Sequence, residues 1–249
     1  MEIPASTVMD GLAGVLRQLY AHQLEALPQD GYLREHSEPS FVDGSVRVFR
    51  FYEPYLPAEG RILDWGCRHA PDACMVRTRF GERVTLDGCD VFDGTQYPVF
   101  FDYARLRYAR LSEIVKLPYP DDSFDAVLAS GVLEHVPLDY ESLKQLHRIL
   151  RVGGRLIVTY LPNKASIEEW RRRRWVQEDF HWRLYRLAEL RSRLLHGGFR
   201  PVVTGYQTQL DLLPVDGAAV AALRPLLRFL QLHRLTAGLC AVAEKVVCL

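Results

Sequence analysis

The stretch 62–72, Ile-Leu-Asp-Trp-Gly-Cys-Arg-His-Ala-Pro-Asp, limits the folds open to this chain more than any other. A short apolar run ends in an acid, a turn follows at Gly66, and Pro71 opens a helical segment. Proline suits a first helical position, where its missing N–H has no intrahelical partner to lose. The pattern predicts a buried parallel strand, a tight turn and a helix N-terminus. In open α/β sheets, ligands bind at such strand ends. A dinucleotide site there needs G-x-G-x-x-G, so that backbone can approach a pyrophosphate. Arg68 and Ala70 stand where the next glycines belong, so that fingerprint fails.

The pattern repeats downstream. Residues 83–90 predict a second strand ending on Asp90, about where an acid grips a ribose diol in such sheets; a surface-turn aspartate is the plainer alternative. Residues 91–107 are aromatic-rich and carry no clear period. A third strand is expected over 108–111 and an apolar fourth over 124–129, with Ser130–Val136 leaving it for a helix that closes near 150. Gly153 and Gly154 then turn into a fifth strand over 155–160. Alternating strands and helices argue a doubly wound, mostly parallel sheet. A helix over 187–195 and two antiparallel strands over 199–205 and 239–247 complete seven strands.

Ahead of the first strand, Ser6 and Thr7 are candidate N-caps for an amphipathic helix carrying Val8, Leu12, Val15, Leu16, Leu19, Tyr20 and Leu24. Residues 31–44, with Pro, Ser and Gly, predict a loop, and 45–55 a second helix. These helices either cover the ligand cleft or pack on the sheet edge.

The ordered set Asp64-x-Gly66, Leu117-Pro118-Tyr119-Pro120-Asp121, Phe124-Asp125-Ala126-Val127, Leu133-Glu134-His135-Val136 and Gly153-Gly154 resembles the class I S-adenosylmethionine (SAM) methyltransferases, and in particular the type-11 methyltransferase domain. The resemblance covers roughly residues 45–210, the usual size of such a domain. It implies a Rossmann-like methyltransferase fold with an N-terminal helical cap over 1–44, a methyltransferase domain over 45–249, and lid segments near 163–185 and 214–236. It implies SAM as cofactor, held by the turn residues Asp64, Gly66, Cys67 and Arg68. Asp90 and Val91 fall at the ribose, Glu113 and Ile114 at the adenine, and Ser130 beside the sulfonium. At Arg68 and Ala70 the chain departs from the family's glycines. We expect an ordinary backbone conformation at 68, with the Arg68 side chain paired to the SAM carboxylate or pointing to solvent.

Because SAM carries the reactive methyl, the protein must align an acceptor and, for an oxygen nucleophile, remove a proton. His135, just past the fourth strand, is the first base candidate, since imidazole titrates near neutral pH; packing or capping the next helix is its other possible role. His181 is the second. Related RNA and quinone enzymes carry Glu-x-x-Glu-His at this point, but Gly131 replaces the first carboxylate here. With Glu134 and His135 alone a divalent ion is under-coordinated, and no metal is expected. The fourth strand also lacks the Asn/Asp-Pro-Pro-aromatic signature that stacks a flipped base.

Lys+Arg and Asp+Glu both number 31, which gives no electrostatic case for nucleic acid. No run approaches about 18 apolar residues, so no integral membrane association is expected, and no secretory leader is legible. Cys67, Cys74, Cys89, Cys240 and Cys248 lack C-x-x-C spacing and read as reduced thiols of a cytoplasmic protein. Trp170 and Trp175 flank Arg171–Arg174 in either a solvated face or a lid over an anionic or glycosylated substrate. The Leu-rich 218–235 segment predicts a lid or homodimer helix, with a membrane-surface helix as the alternative. The chain is therefore expected to methylate a small molecule, most simply at a hydroxyl. The rival is a catalytically silent binding or scaffold protein of the same fold.

Overall fold

The apolar run before Gly66 forms β1 (Gly60–Trp65), with its last four residues buried. In the computed structural model, which describes residues 8–113, 115–176, 181–207, 232–236 and 238–247, β1 pairs in parallel with β2 (Val84–Asp90) and β4 (Phe124–Ser130). Beyond β2 lies β3 (Arg107–Arg110), also parallel. The second half contributes β5 (Leu150–Pro162), β6 (Phe199–Gln207) and β7 (Gly238–Lys245), with β7 antiparallel to both β5 and β6. Strand order is 3-2-1-4-5-7-6 in one seven-stranded sheet. The doubly wound α/β fold and the antiparallel final pair follow the sequence expectation.

The chain divides into two units. The first holds residues up to 114 together with 123–128, and the second holds 115–122 and everything from 129 onward. In the first unit, α1 (Val8–Ala26) packs on α3 (Pro39–Tyr52), α4 (Pro71–Phe80) and α5 (Pro98–Ala104). Six consecutive residues of α4, Asp72–Arg77, are buried. A helix enclosed on all sides must satisfy any charge it carries. Arg77 does so through the carbonyls of Ala104 at 2.9 Å, Val84 at 3.2 Å and Gly81.

The expected loop over 31–44 is instead helical: α2 (Gly31–His36) precedes α3. The residues that suggested a loop are end signals. Asp30 accepts from the Leu33 N–H at 3.0 Å as an N-cap, and Pro39 occupies the first turn of α3. The Ser6 and Thr7 caps lie outside the described residues. Asp93 caps a 3-10 turn, Gly94–Gln96, and Pro98 opens α5, which fills the unassigned stretch.

In the second unit, α6 (Asp139–Ile149) buries Ser142, Leu143, Leu146 and Ile149 along one face. It starts later than expected, because residues 131–138 form an irregular turn with Gly131 at φ 65° and Pro137 before the helix. The strand β5 is longer than predicted and begins where α6 ends. Leu190 and Leu194 anchor α8 (Leu187–His196). Lys245, nearly buried, donates to Asp122 Oδ1 and to the Leu150 carbonyl, both at 2.7 Å, which ties β7 to the 115–122 segment. Among the described residues, no helix is long and apolar enough to cross a membrane. Most of the predicted 218–235 helix lies outside the described residues.

Candidate functional site

In the first unit the loop after β1 takes positive φ at alternate positions: Gly66 at 71°, Arg68 at 45° and Ala70 at 60°. The expectation of an ordinary conformation at 68 is therefore wrong. The chain keeps the left-handed backbone of a glycine-rich turn while placing side chains on it, at about 1–2 kcal/mol per residue. Hydrogen bonds hold it there. The N–H groups of Gly66 and Cys67 both reach the Cys89 carbonyl, at 2.8 and 3.3 Å, and Ala70 N donates to the Cys67 carbonyl at 2.6 Å.

Asp90, at the end of β2 and 7% exposed, accepts from Arg68 N at 2.8 Å through one oxygen and from Phe92 N at 3.2 Å through the other. The Arg68 guanidinium lies 3.6 Å from the centre of the Tyr32 ring and 5.0 Å from that of Phe92. The side chain therefore does not stand free in solvent. Its charge rests on aromatic faces, a contact worth about 0.5–2 kcal/mol and thus comparable to the backbone strain.

His69, which sequence reasoning passed over, is fully buried. Its Nε2 lies 2.8 Å from the Tyr20 hydroxyl, and the rings of Tyr20, Tyr32, His36, Tyr97 and Phe100 surround it. Burial, with His36 and Arg68 nearby, pushes its pKa well below the ordinary value. Nothing in the local sequence distinguishes this histidine, because its ring cluster is assembled from α1, α2 and the residues around α5.

Asp64 ends the apolar run of β1 and is buried; one carboxyl oxygen, Oδ2, has no partner. Burial first, and then the neighbouring Asp72, raise its pKa well above the usual range, against a backbone hydrogen bond from Ala73. Asp72 itself accepts from the Tyr52 hydroxyl at 2.5 Å. An orphaned buried carboxyl oxygen below a left-handed loop suits a ligand carrying a positive charge or N–H donors. Cys67 is buried and its thiol is pushed up by burial. Val91 is half-buried, Glu113 is exposed, and Ile114 lies outside the described residues.

The remaining predicted residues sit in the second unit. The Ser130 hydroxyl accepts from Thr159 Oγ1 at 2.9 Å. His135, with its side chain 60% exposed, lies with Nε2 3.8 Å from Glu134 Oε1. His181 packs beside it, ring centres 5.7 Å apart, and its Nδ1 is 2.8 Å from Glu169 Oε1. Burial and then His181 lower the pKa of His135, so its imidazole is neutral near pH 7. The hydrogen bond to Glu169 raises that of His181. Glu134, nearly fully buried, is pushed up to about 7 by burial. The structure thus brings together the two predicted bases with Glu134, the sequence neighbour of His135, and with Glu169, which the sequence did not link to them.

Two further residues hold the turn bearing His135. Arg183 donates to the carbonyls of Leu133, Val136 and Pro137 at 3.3, 2.7 and 3.0 Å. The Tyr185 hydroxyl shares its one proton between the Leu133 carbonyl at 3.1 Å and Asp139 Oδ2 at 3.0 Å, and Arg193 donates to Asp139 Oδ1 at 2.8 Å. Ser166 caps α7 (Ile167–Arg171), which presents Glu169, and Arg173 donates to the His181 carbonyl. Trp170 and Trp175 are exposed and meet edge to face, 4.8 Å apart.

Known proteins agree with this architecture. A methyltransferase domain family matches residues 63–158. The chain is 28% identical over 177 residues to the 27-O-demethylrifamycin SV methyltransferase of Amycolatopsis mediterranei, covering 64% of this chain and 60% of that one. It is 29% identical over 131 residues to a fatty-acid O-methyltransferase of Mycolicibacterium smegmatis, covering 51% of this chain and 47% of that one. The chain thus spans about half to three fifths of the curated relatives it matches. In fold it is similar to the Burkholderia thailandensis 1,6-didemethyltoxoflavin-N1-methyltransferase solved with S-adenosylhomocysteine, at TM-score 0.58 and 17% identity, covering 99% of this chain and 94% of that one. Over residues 63–158 the chain thus matches the type-11 methyltransferase domain of class I SAM-dependent methyltransferases.

Proposed function

We propose that this protein transfers a methyl group from SAM to a hydroxyl of a small-molecule acceptor, with His135 as the general base. One observation carries the choice of base: a neutral, exposed imidazole on a turn clamped by Arg183 and Tyr185 just past the end of β4. When bound, SAM supplies an electrophilic methyl on a sulfonium that departs as a neutral thioether. The protein's share is to hold, align and deprotonate.

On this reading Asp64 and the loop through Gly66, Cys67 and Arg68 hold the amino-acid end of SAM. Asp90 and Val91 hold the ribose, Glu113 and Ile114 the adenine, and Ser130 lies beside the sulfonium. The His135 imidazole takes the acceptor proton as the new O–C bond forms. Glu169 orients His181, which serves as the second proton acceptor. Residues 8–44 act as a helical cap and the described residues of 163–185 as a lid; most of the expected second lid, 214–236, lies outside the described residues. Cys67, Cys74, Cys89 and Cys240 stand as thiols outside any disulfide, which suits a cytoplasmic setting.

The names of the relatives support oxygen as acceptor: one acts on an O-demethyl rifamycin and one is a fatty-acid O-methyltransferase. The rival reading, a catalytically silent binding protein, draws on Arg68, which adds a side chain where the family's turn has glycine. Labelled SAM offered with a panel of hydroxylated metabolites, in the presence of chelator, decides between them. Transfer to a hydroxyl is the expected result. Binding of SAM without transfer to any acceptor supports the silent protein.

A further inference from the structure

We propose that Glu134, His135 and His181 form a binding site for one divalent transition-metal ion, and that its occupation inhibits methyl transfer. The inhibitory half rests on the reading of His135 as the base; the site itself does not. Each residue offers a ligand atom, and these atoms lie within 4.8 Å of one another. Donors around a tetrahedral zinc stand roughly 3.3–3.5 Å apart, from bond lengths near 2.0–2.1 Å. Side-chain adjustments of about 1 Å therefore close the site.

Three features point to a cation. The Glu134 side chain is 2% exposed, and its Oε2 is buried with no partner. Such an oxygen is costly to keep unless something positive meets it. Glu169 Oε1 lies 2.8 Å from His181 Nδ1, which leaves the other ring nitrogen for a metal, with a carboxylate behind the histidine. That outer carboxylate is the usual support of a metal-bound imidazole. Finally, the exposed His135 leaves an entry path and open coordination positions.

Two imidazoles and one carboxylate favour zinc, cobalt or nickel over magnesium or calcium, which prefer oxygen donors. Glu134 and His135 are the only two of these ligands adjacent in sequence. His181 is the third donor, delivered from beyond β5. A metal on His135 occupies the lone pair that would accept the acceptor's proton, so metal and proton compete for one nitrogen. The ion is thus an inhibitor and not a cofactor, and methyl transfer proceeds in chelated protein.

The test uses the full chain, freed of metal by chelation and titrated with Co²⁺. One equivalent should bind, with the visible absorption of a four- or five-coordinate ion. Glu134→Gln and His181→Ala should abolish that spectrum in protein that circular dichroism shows to be folded. Glu169→Gln should weaken binding by about 10–100-fold. Absence of bound Co²⁺, or binding indifferent to Glu134→Gln and His181→Ala, overturns the site. Zn²⁺ should suppress methyl transfer and chelator should restore it. If the site binds Co²⁺ but Zn²⁺ leaves transfer untouched, the inhibitory half is wrong. Co²⁺ binding by a chain that, chelated, transfers no methyl upholds the site and overturns the methyl-transfer reading. Transfer without Co²⁺ binding does the reverse.

Discussion

At the scale of single residues, chemistry and stability make separable demands on this chain. His135 is exposed and makes no side-chain hydrogen bond within 3.5 Å to Glu134, whose nearest oxygen is 3.8 Å away. Replacing it should leave packing intact. Positioned base catalysis contributes about 10²–10⁴-fold, so His135→Ala should lower turnover by that factor. SAM affinity and thermal midpoint should stay near wild type; a fall in midpoint with unchanged turnover would make His135 structural. Asp90 carries a double duty, since its carboxylate already receives the N–H groups of Arg68 and Phe92. Asp90→Ala should weaken SAM by roughly 1–3 kcal/mol, the loss expected for hydrogen bonds to a charged group. It should also destabilise the loop, so affinity is to be measured on folded protein. His69 gives a pH signature. Its folded pKa lies well below the ordinary value near 6.5, so the unfolded chain binds the proton first. Its contribution to stability is complete above about pH 6.5 and declines as pH falls below that, by up to about 1.4 kcal/mol per pH unit. His36, beside it and lowered by burial, acts in the same direction. The stability gap between wild type and His69→Phe should therefore narrow between pH 7 and 5, as read by denaturant unfolding.

At the scale of elements, the turn between β4 and α6 is the piece on which the candidate chemistry depends, and it is stiffened from outside. Arg183 and Tyr185 follow β5 in sequence yet hold Leu133 and Val136 by their carbonyls. Tyr185→Phe would remove the one proton shared by the Leu133 carbonyl and the buried Asp139 carboxylate, and should cost about 1–3 kcal/mol in unfolding free energy. Turnover should fall as well, with SAM affinity unchanged; unaltered turnover would show that the turn does not position the base. What was legible in sequence divides along the same lines. Strands β1, β2, β4, β6 and β7 were readable because each is an apolar or alternating run bounded by glycine or an acid. The helices α2 and α3 were not, because Pro39, Ser40 and Gly44 read equally as loop and as the capped ends or exposed face of a helix. The late start of α6 was hidden by apolar Val132, Leu133 and Val136, which have helical spacing but are buried in a turn. The motif residues Asp64, Gly66, Asp90, His135 and His181 could be picked out locally. Their partners Glu169, Arg183 and Tyr185 could not, since only the fold brings them to the turn.

At the scale of the whole molecule, each unit has its own feature: the first contains the left-handed loop with Asp64 and Asp90, and the second contains Ser130 and the histidine cluster. The left-handed backbone survives at Arg68 and Ala70 without glycine, which shows that the turn's shape is set by its surroundings. The N–H bonds to Asp90 and the carbonyl of Cys89, with the stacking on Tyr32, stand in for glycine's conformational freedom. The account's central claim is that this loop still binds SAM. Calorimetric titration of the chelated full chain with SAM tests it most directly. The account predicts one site per chain with a dissociation constant in the micromolar range, about −8 kcal/mol, weakened in Asp90→Ala. No heat and no saturable binding at millimolar SAM would contradict it.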